Sequence, residues 1–124
     1  MNDYTNTPDN NQSNIRPIYT RNGLCIHRDA DNAALYSLSH THTGKPIVYG
    51  LQSLRTAYDF LQAFDRVFDF DSLKAGDPQL SQHQRWCVHH IMGQAQRCRL
   101  EGWYVSLDHY LRDYDWRDAQ GGAA

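Results

Sequence analysis

The chain has 124 residues, with 12 Lys and Arg against 14 Asp and Glu, and a formal net charge of −2. That length implies one domain with a modest core. The charge balance excludes the basic stripe of a general nucleic-acid binder and is too mild for an acidic DNA mimic.

Residues 1–14 are rich in Asn, Asp, Thr and Ser and read as a disordered tail, because they cannot bury enough surface to offset the entropy of ordering. A single α+β domain is expected over residues 15–118, with a frayed tail at 119–124. Order begins near Ile15 to Tyr19, and Asn22-Gly23 is a turn signal. Leu24 to Arg28 alternates as a strand, with Leu24 and Ile26 on one face. Ala34 to His40 reads as a second strand and Pro46 to Leu51 as a third, with Ile47, Tyr49 and Leu51 expected to share a face. Thr41 to Lys45 is the hairpin connection between them.

Ser53 is a good N-cap for a helix over 53–68, where Leu54, Ala57, Tyr58, Leu61 and Phe68 recur at helical spacing. A Gly-Asp-Pro breaker follows. A second helix should start at Pro78 or Ser81 and run to Leu100, stopped by Gly102, with Trp86, Cys87, Ile91, Ala95 and Cys98 as its apolar stripe. Gly93 in its middle costs roughly 1 kcal/mol against Ala, and close approach of another backbone would explain it. Ser106 caps a short third helix over 107–114. The expected fold is a three-stranded antiparallel meander followed by three helices, in two layers.

The three cysteines, Cys25, Cys87 and Cys98, show no disulfide-framework spacing. With no secretory signal and no apolar stretch of membrane-spanning length, a reducing cytoplasm is the expected compartment. Lysine occurs only at Lys45 and Lys74, so arginine carries most of the positive charge.

Five constellations could carry chemistry. His83, Cys87 and His90 fall at i, i+4 and i+7 of the second helix, as a zinc set would, but match no established zinc spacing, and Cys87 also lies on the apolar stripe. His40 and His42 flank the hairpin, with His27 as a third candidate ligand across the sheet. Cys25 with His27, or Cys87 with His90, would make a nucleophilic pair only with a lowered thiol pKa. Asp65, Asp69 and Asp71 read as a solvated helix end rather than an acid–base pair. The C-terminal run holds Trp103, Tyr104, Tyr110, Arg112, Tyr114 and Trp116, the residue types that anchor protein interfaces; the same rings could instead close a small core. No catalytic or cofactor motif is present, so no cofactor is expected.

The stretch from Gly44 to Leu51, followed by Ser53-Leu54-Arg55-Thr56-Ala57, resembles the strand-to-helix segment of many small accessory proteins of phages and prophages. That resemblance implies stoichiometric binding to a host machine, as anti-CRISPR proteins do. The strand-strand-strand-helix order is also similar to AP2-type and integrase-arm DNA-binding modules, whose sheets carry more Arg, Lys and Trp. The expectation is a non-enzymatic inhibitor that occludes a protein partner, with a homodimer and no membrane association. The contact residues would be the C-terminal set from Trp103 to Trp116. The runner-up is a nucleic-acid module using Arg16, Arg21, Arg28, Lys45 and Arg55, and the third reading is a small zinc protein.

Overall fold

A computed structural model describes residues 16–73, 79–103, 111 and 114–118. The two expected tails lie outside the described residues, as does the expected third helix apart from Leu111 and Tyr114. The element order is β1 (Pro17–Arg21), β2 (Leu24–Arg28), β3 (Tyr36–His40), β4 (Pro46–Leu51), α1 (Leu54–Val67), a short 3₁₀ turn (Phe70–Ser72) and α2 (Gln82–Glu101). The four strands form an antiparallel meander in sequence order. The fold is therefore α+β, with four strands where the sequence pattern led us to expect three.

The added strand, β1, is exposed at every position and so shows no alternation of apolar and polar residues. Its pairing with β2 follows from the two-residue turn at Asn22-Gly23. Both residues have positive φ, 49° and 81°, the geometry that joins twisted antiparallel strands. Gly23 is also required sterically: a Cβ there would stand 2.5 Å from the backbone of Phe70 and Asp71.

The register places Leu24, Ile26, Leu38 and His40 on one face of the sheet, and Cys25, His27, Ser37 and Ser39 on the other. β4 departs from the expected phase. Leu38 pairs with Val48 and Tyr36 with Leu51, so three residues on β4 span two on β3. Gly50, at φ 73°, takes up the extra residue as a bulge. As a result Val48 and Leu51 face the core, Ile47 is half-buried, and Tyr49 is exposed.

α1 begins where expected: Ser53 Oγ accepts from the Thr56 amide. It lays Ala57, Phe60, Leu61, Phe64 and Val67 across β2 and β3. α2 starts at a capping box, in which the Gln84 amide donates to Ser81 Oγ and the Ser81 amide donates to Gln84 Oε1, and it ends at Gly102 in the left-handed conformation. Its buried stripe, Cys87, Ile91, Ala95 and Cys98, packs on α1 and the β4 edge. Trp86, expected in that stripe, is instead half-exposed. Each core Leu, Ile or Phe contributes about 1.5–3 kcal/mol by leaving water. Leu111 joins the same core. No described atom lies within 4 Å of where a Cβ on Gly93 would stand, so the close backbone approach expected there is not made by the described residues. No helix among the described residues is long and apolar enough to cross a membrane.

Candidate functional site

Three polar clusters and one helix face hold the residues with functional chemistry. The first cluster lies on the sheet face away from the helices. His27 Nδ1 is 2.7 Å from the Arg28 carbonyl, which can only accept, so Nδ1 carries the proton and Nε2 accepts from the Ser39 hydroxyl at 2.7 Å. The order hydroxyl, imidazole, carbonyl is that of a nucleophile and its base. However, Ser39 sits in the middle of the sheet between β2 and β4, so the neighbouring amides serve the strand ladder and are not aimed at a developing oxyanion. Beside it, Asp29 accepts from the Asp31 amide, the Ser37 hydroxyl and the Gly50 amide, at 2.8, 2.9 and 3.1 Å. Burial pushes the Asp29 carboxyl up, but these hydrogen bonds together with one from the Asn32 backbone outweigh it and hold the pKa below its ordinary value. A depression of about 160 Å³ borders His27 and Ser39.

The second cluster closes the β3–β4 turn over the 3₁₀ turn. His40 Nε2 donates to the Phe70 carbonyl and Nδ1 accepts from Thr43 Oγ1, both at 2.8 Å, and His42 Nε2 lies 2.9 Å from Asp71 Oδ1. His27, His40 and His42 are thus each engaged with protein partners and do not converge. On α2, His83 Nε2 approaches Cys87 Sγ at 3.6 Å, while the His90 ring lies against Trp86 at 4.1 Å. No group of three His, Cys, Asp or Glu among the described residues could hold a metal ion. Burial pushes all three thiols up, which removes the lowered pKa that a nucleophilic cysteine needs.

The third cluster corrects a sequence expectation. Asp65 is 2 % exposed rather than solvated. Its carboxylate accepts from Asn22 Nδ2 at 3.0 Å and from Arg117 Nη2 at 2.7 Å, and pairs with Arg21 Nε at 3.3 Å. Its backbone carbonyl accepts from Trp116 Nε1 at 2.9 Å. Two guanidiniums and an amide therefore compensate one buried carboxylate. Arg66 Nε donates to the Tyr114 carbonyl, and the Tyr114 ring meets His83 edge-on at 4.7 Å. Tyr114 and Trp116 thus hold residues 114–118 to α1 and α2. Trp103 is 49 % exposed, with the Arg97 guanidinium 5.2 Å from its ring centre. Tyr104, Tyr110 and Arg112 lie outside the described residues.

The basic residues considered for nucleic acid are dispersed. Arg21 is engaged with Asp65, and Arg28 lies over the Tyr36 ring and donates to the Ala33 carbonyl. Arg16, Lys45 and Arg55 are exposed, and they fall before β1, in the β3–β4 turn and at the start of α1.

Large apolar side chains meet water on β1 (Ile18, Tyr19), at the start of α1 (Leu54), on β4, on α2 and just beyond it. Tyr49, Trp86, Met92, Leu100 and Trp103 are all exposed by 40 % or more. A groove of about 230 Å³ runs between β4 and α2, lined by Ile47, Tyr49, His89, Met92, Gln96 and Arg99. Arg99 stacks on Tyr49 at 4.1 Å and its Nη2 donates to the Tyr49 hydroxyl at 3.1 Å, which fixes the guanidinium plane at the groove wall. Sequence reasoning missed this site because strict alternation put Tyr49 on the same face as Leu51, which is buried. The Gly50 dipeptide position in β4 was the available signal, since a glycine inside a strand marks a bulge. No protein-family model, curated protein or solved structure matches the chain.

Proposed function

We propose that this chain is a non-enzymatic binding protein that acts by stoichiometric contact with a protein partner. The observation that carries this reading is the groove between β4 and α2, where exposed Tyr49 and Met92 stand beside Arg99. Aromatic and Met side chains beside a fixed Arg are the composition of an interface core. Elsewhere the polar clusters are internally satisfied, as the Asp65 and Asp29 networks illustrate. The contact surface is the β4–α2 groove together with Trp103, and it replaces the C-terminal aromatic run as the centre of contact. On the resemblance to phage and prophage accessory proteins, the partner is a host defence complex, and the mechanism is steric occlusion.

The test is capture with the tagged chain from nuclease-treated bacterial lysate at moderate salt, read by mass spectrometry. A stoichiometric protein is expected with the natural chain and is lost with Tyr49→Ala or Met92→Glu. Recovery of nucleic acid alone, abolished by nuclease, overturns the reading and favours the nucleic-acid module.

A further inference from the structure

β4 is the last strand of the sheet, and among the described residues nothing pairs with its outer edge. An edge strand keeps a row of N–H and C=O groups outside the ladder. Beyond its pairing with β3, the Gly50 amide, which donates to Asp29, is the one β4 backbone group with a partner among the described residues.

The groove follows that edge. Ile47, Val48 and Tyr49 all line it. Consecutive strand side chains point to opposite faces, so three in a row border one groove only where it runs along the strand's edge. Its other wall is α2 from His89 to Arg99. Ten residues of helix span about 15 Å, the length of about four to five residues of extended chain.

The charge in the groove is one-sided. No Asp or Glu lines it. Among the described residues no carboxylate pairs with Arg99. Stacking on Tyr49 and one N–H bond to the Tyr49 hydroxyl hold the guanidinium in place. Its other N–H groups and the Tyr49 O–H are donors with no acceptor among the described residues. A planar fork of N–H donors matches a carboxylate.

We propose that the groove takes an extended acidic segment of a partner protein, which pairs with β4 as a further strand and sets one carboxylate on Arg99. The proposal rests on the reading of this groove as a protein contact surface and names what enters it. Main-chain bonds to β4 supply affinity, and alternate side chains of the added strand supply specificity. One of these is an Asp or Glu that accepts from Arg99 and from the Tyr49 hydroxyl. The next on the same side, two residues along, is apolar and packs between Ile47 and Met92. A helical segment would leave the β4 edge unbonded, because its own main-chain groups are already paired. A nucleic-acid strand needs a row of cations, whereas Arg99 shares the groove only with His89 at the far end.

The test is selection from a phage-displayed library of random linear peptides on the purified full chain. Enriched peptides are expected to carry Asp or Glu two residues from an apolar residue. A synthetic peptide of the enriched sequence and its Gln counterpart are then compared by fluorescence anisotropy. Arg99→Gln should weaken the acidic peptide about tenfold or more and leave the Gln peptide within a few-fold. Met92→Glu keeps Arg99 in place and should repel the acidic peptide. Bound peptide should slow hydrogen exchange at β4 amides that exchange freely in the unbound chain. No enrichment over bare support, enrichment without acidic residues, equal binding by Arg99→Gln, or unchanged exchange along β4 would overturn the proposal. Concentration-dependent sedimentation of the chain alone that Arg99→Gln abolishes would make the occupant a second copy, and would overturn it too. Lysate capture that is still lost with Tyr49→Ala would leave the contact-surface reading standing after any of these results, so the two failures are distinct.

Discussion

Asp29 shows how one side chain can organise a junction. It sits just past β2, and its two oxygens gather amides and a hydroxyl from the following loop, from β3 and from the bulge in β4. Its pKa is held below the ordinary value of 3.8. The unfolded chain therefore binds this proton at a pH where the folded chain does not. The stability that Asp29 contributes is complete above the ordinary carboxylate value and is lost as pH falls through the depressed one. Asp29→Asn is expected to destabilise the protein at neutral pH by about 1–3 kcal/mol, the cost of disturbing a partly buried hydrogen-bonded acceptor. It should also flatten the acid limb of stability against pH. Urea titrations of both chains between pH 2 and 7 would check this; an unchanged acid limb would remove Asp29 from the account.

At the scale of elements, Gly50 decides what β4 presents. Its positive φ lets Val48 and Leu51 both reach the core and leaves Tyr49 outside, beneath Arg99. Gly50→Ala forces a Cβ into the left-handed region, at about 1–2 kcal/mol, and 3.4 Å from Arg99 Nε. A lower melting temperature is expected, whereas the same substitution at Gly93 should raise it; equal effects at the two sites would contradict the bulge. These elements also show what was readable in the sequence. β2, β4, α1 and α2 were legible to within a residue or two because their caps and apolar periods agree, as at Ser53, Ser81 and Gly102. β1 was not, because a strand exposed along its whole length carries no period and is recruited by its turn. Strict alternation misassigned Tyr49, since one bulged residue inverts the phase of all that precede it. Asp65 was misjudged because its partners Asn22 and Arg117 lie 43 and 52 residues away. The exposed side of α2 was legible only in part, because Trp86 has the spacing of a core residue and a helix pattern does not say which stripe is covered.

For the whole molecule, the Asp65 network joins the β1–β2 turn, α1 and residues 114–118. Arg21 and Arg117 are each about two-fifths exposed, so either can be lost with Asp65 still paired to the other. Arg21→Ala and Arg117→Ala should each cost about 1 kcal/mol, near the range of partly exposed pairs. The double variant leaves a buried carboxylate without a cation, and should cost about 3–5 kcal/mol, more than the sum. Urea unfolding of the four chains measures that coupling, and simple additivity would show that Asp65 does not depend on the two arginines.

The same network has a kinetic meaning. The ion pairs on Asp65 bring together residues from the first strand and from beyond the second helix, so they close nearly the whole length of the described chain. Contacts between such distant segments carry the largest closure entropy and form after the local hairpins and helices are in place. They are therefore latches fastened last in folding and released first in unfolding. Their removal should quicken the unfolding arm of a chevron while leaving the refolding arm nearly unmoved.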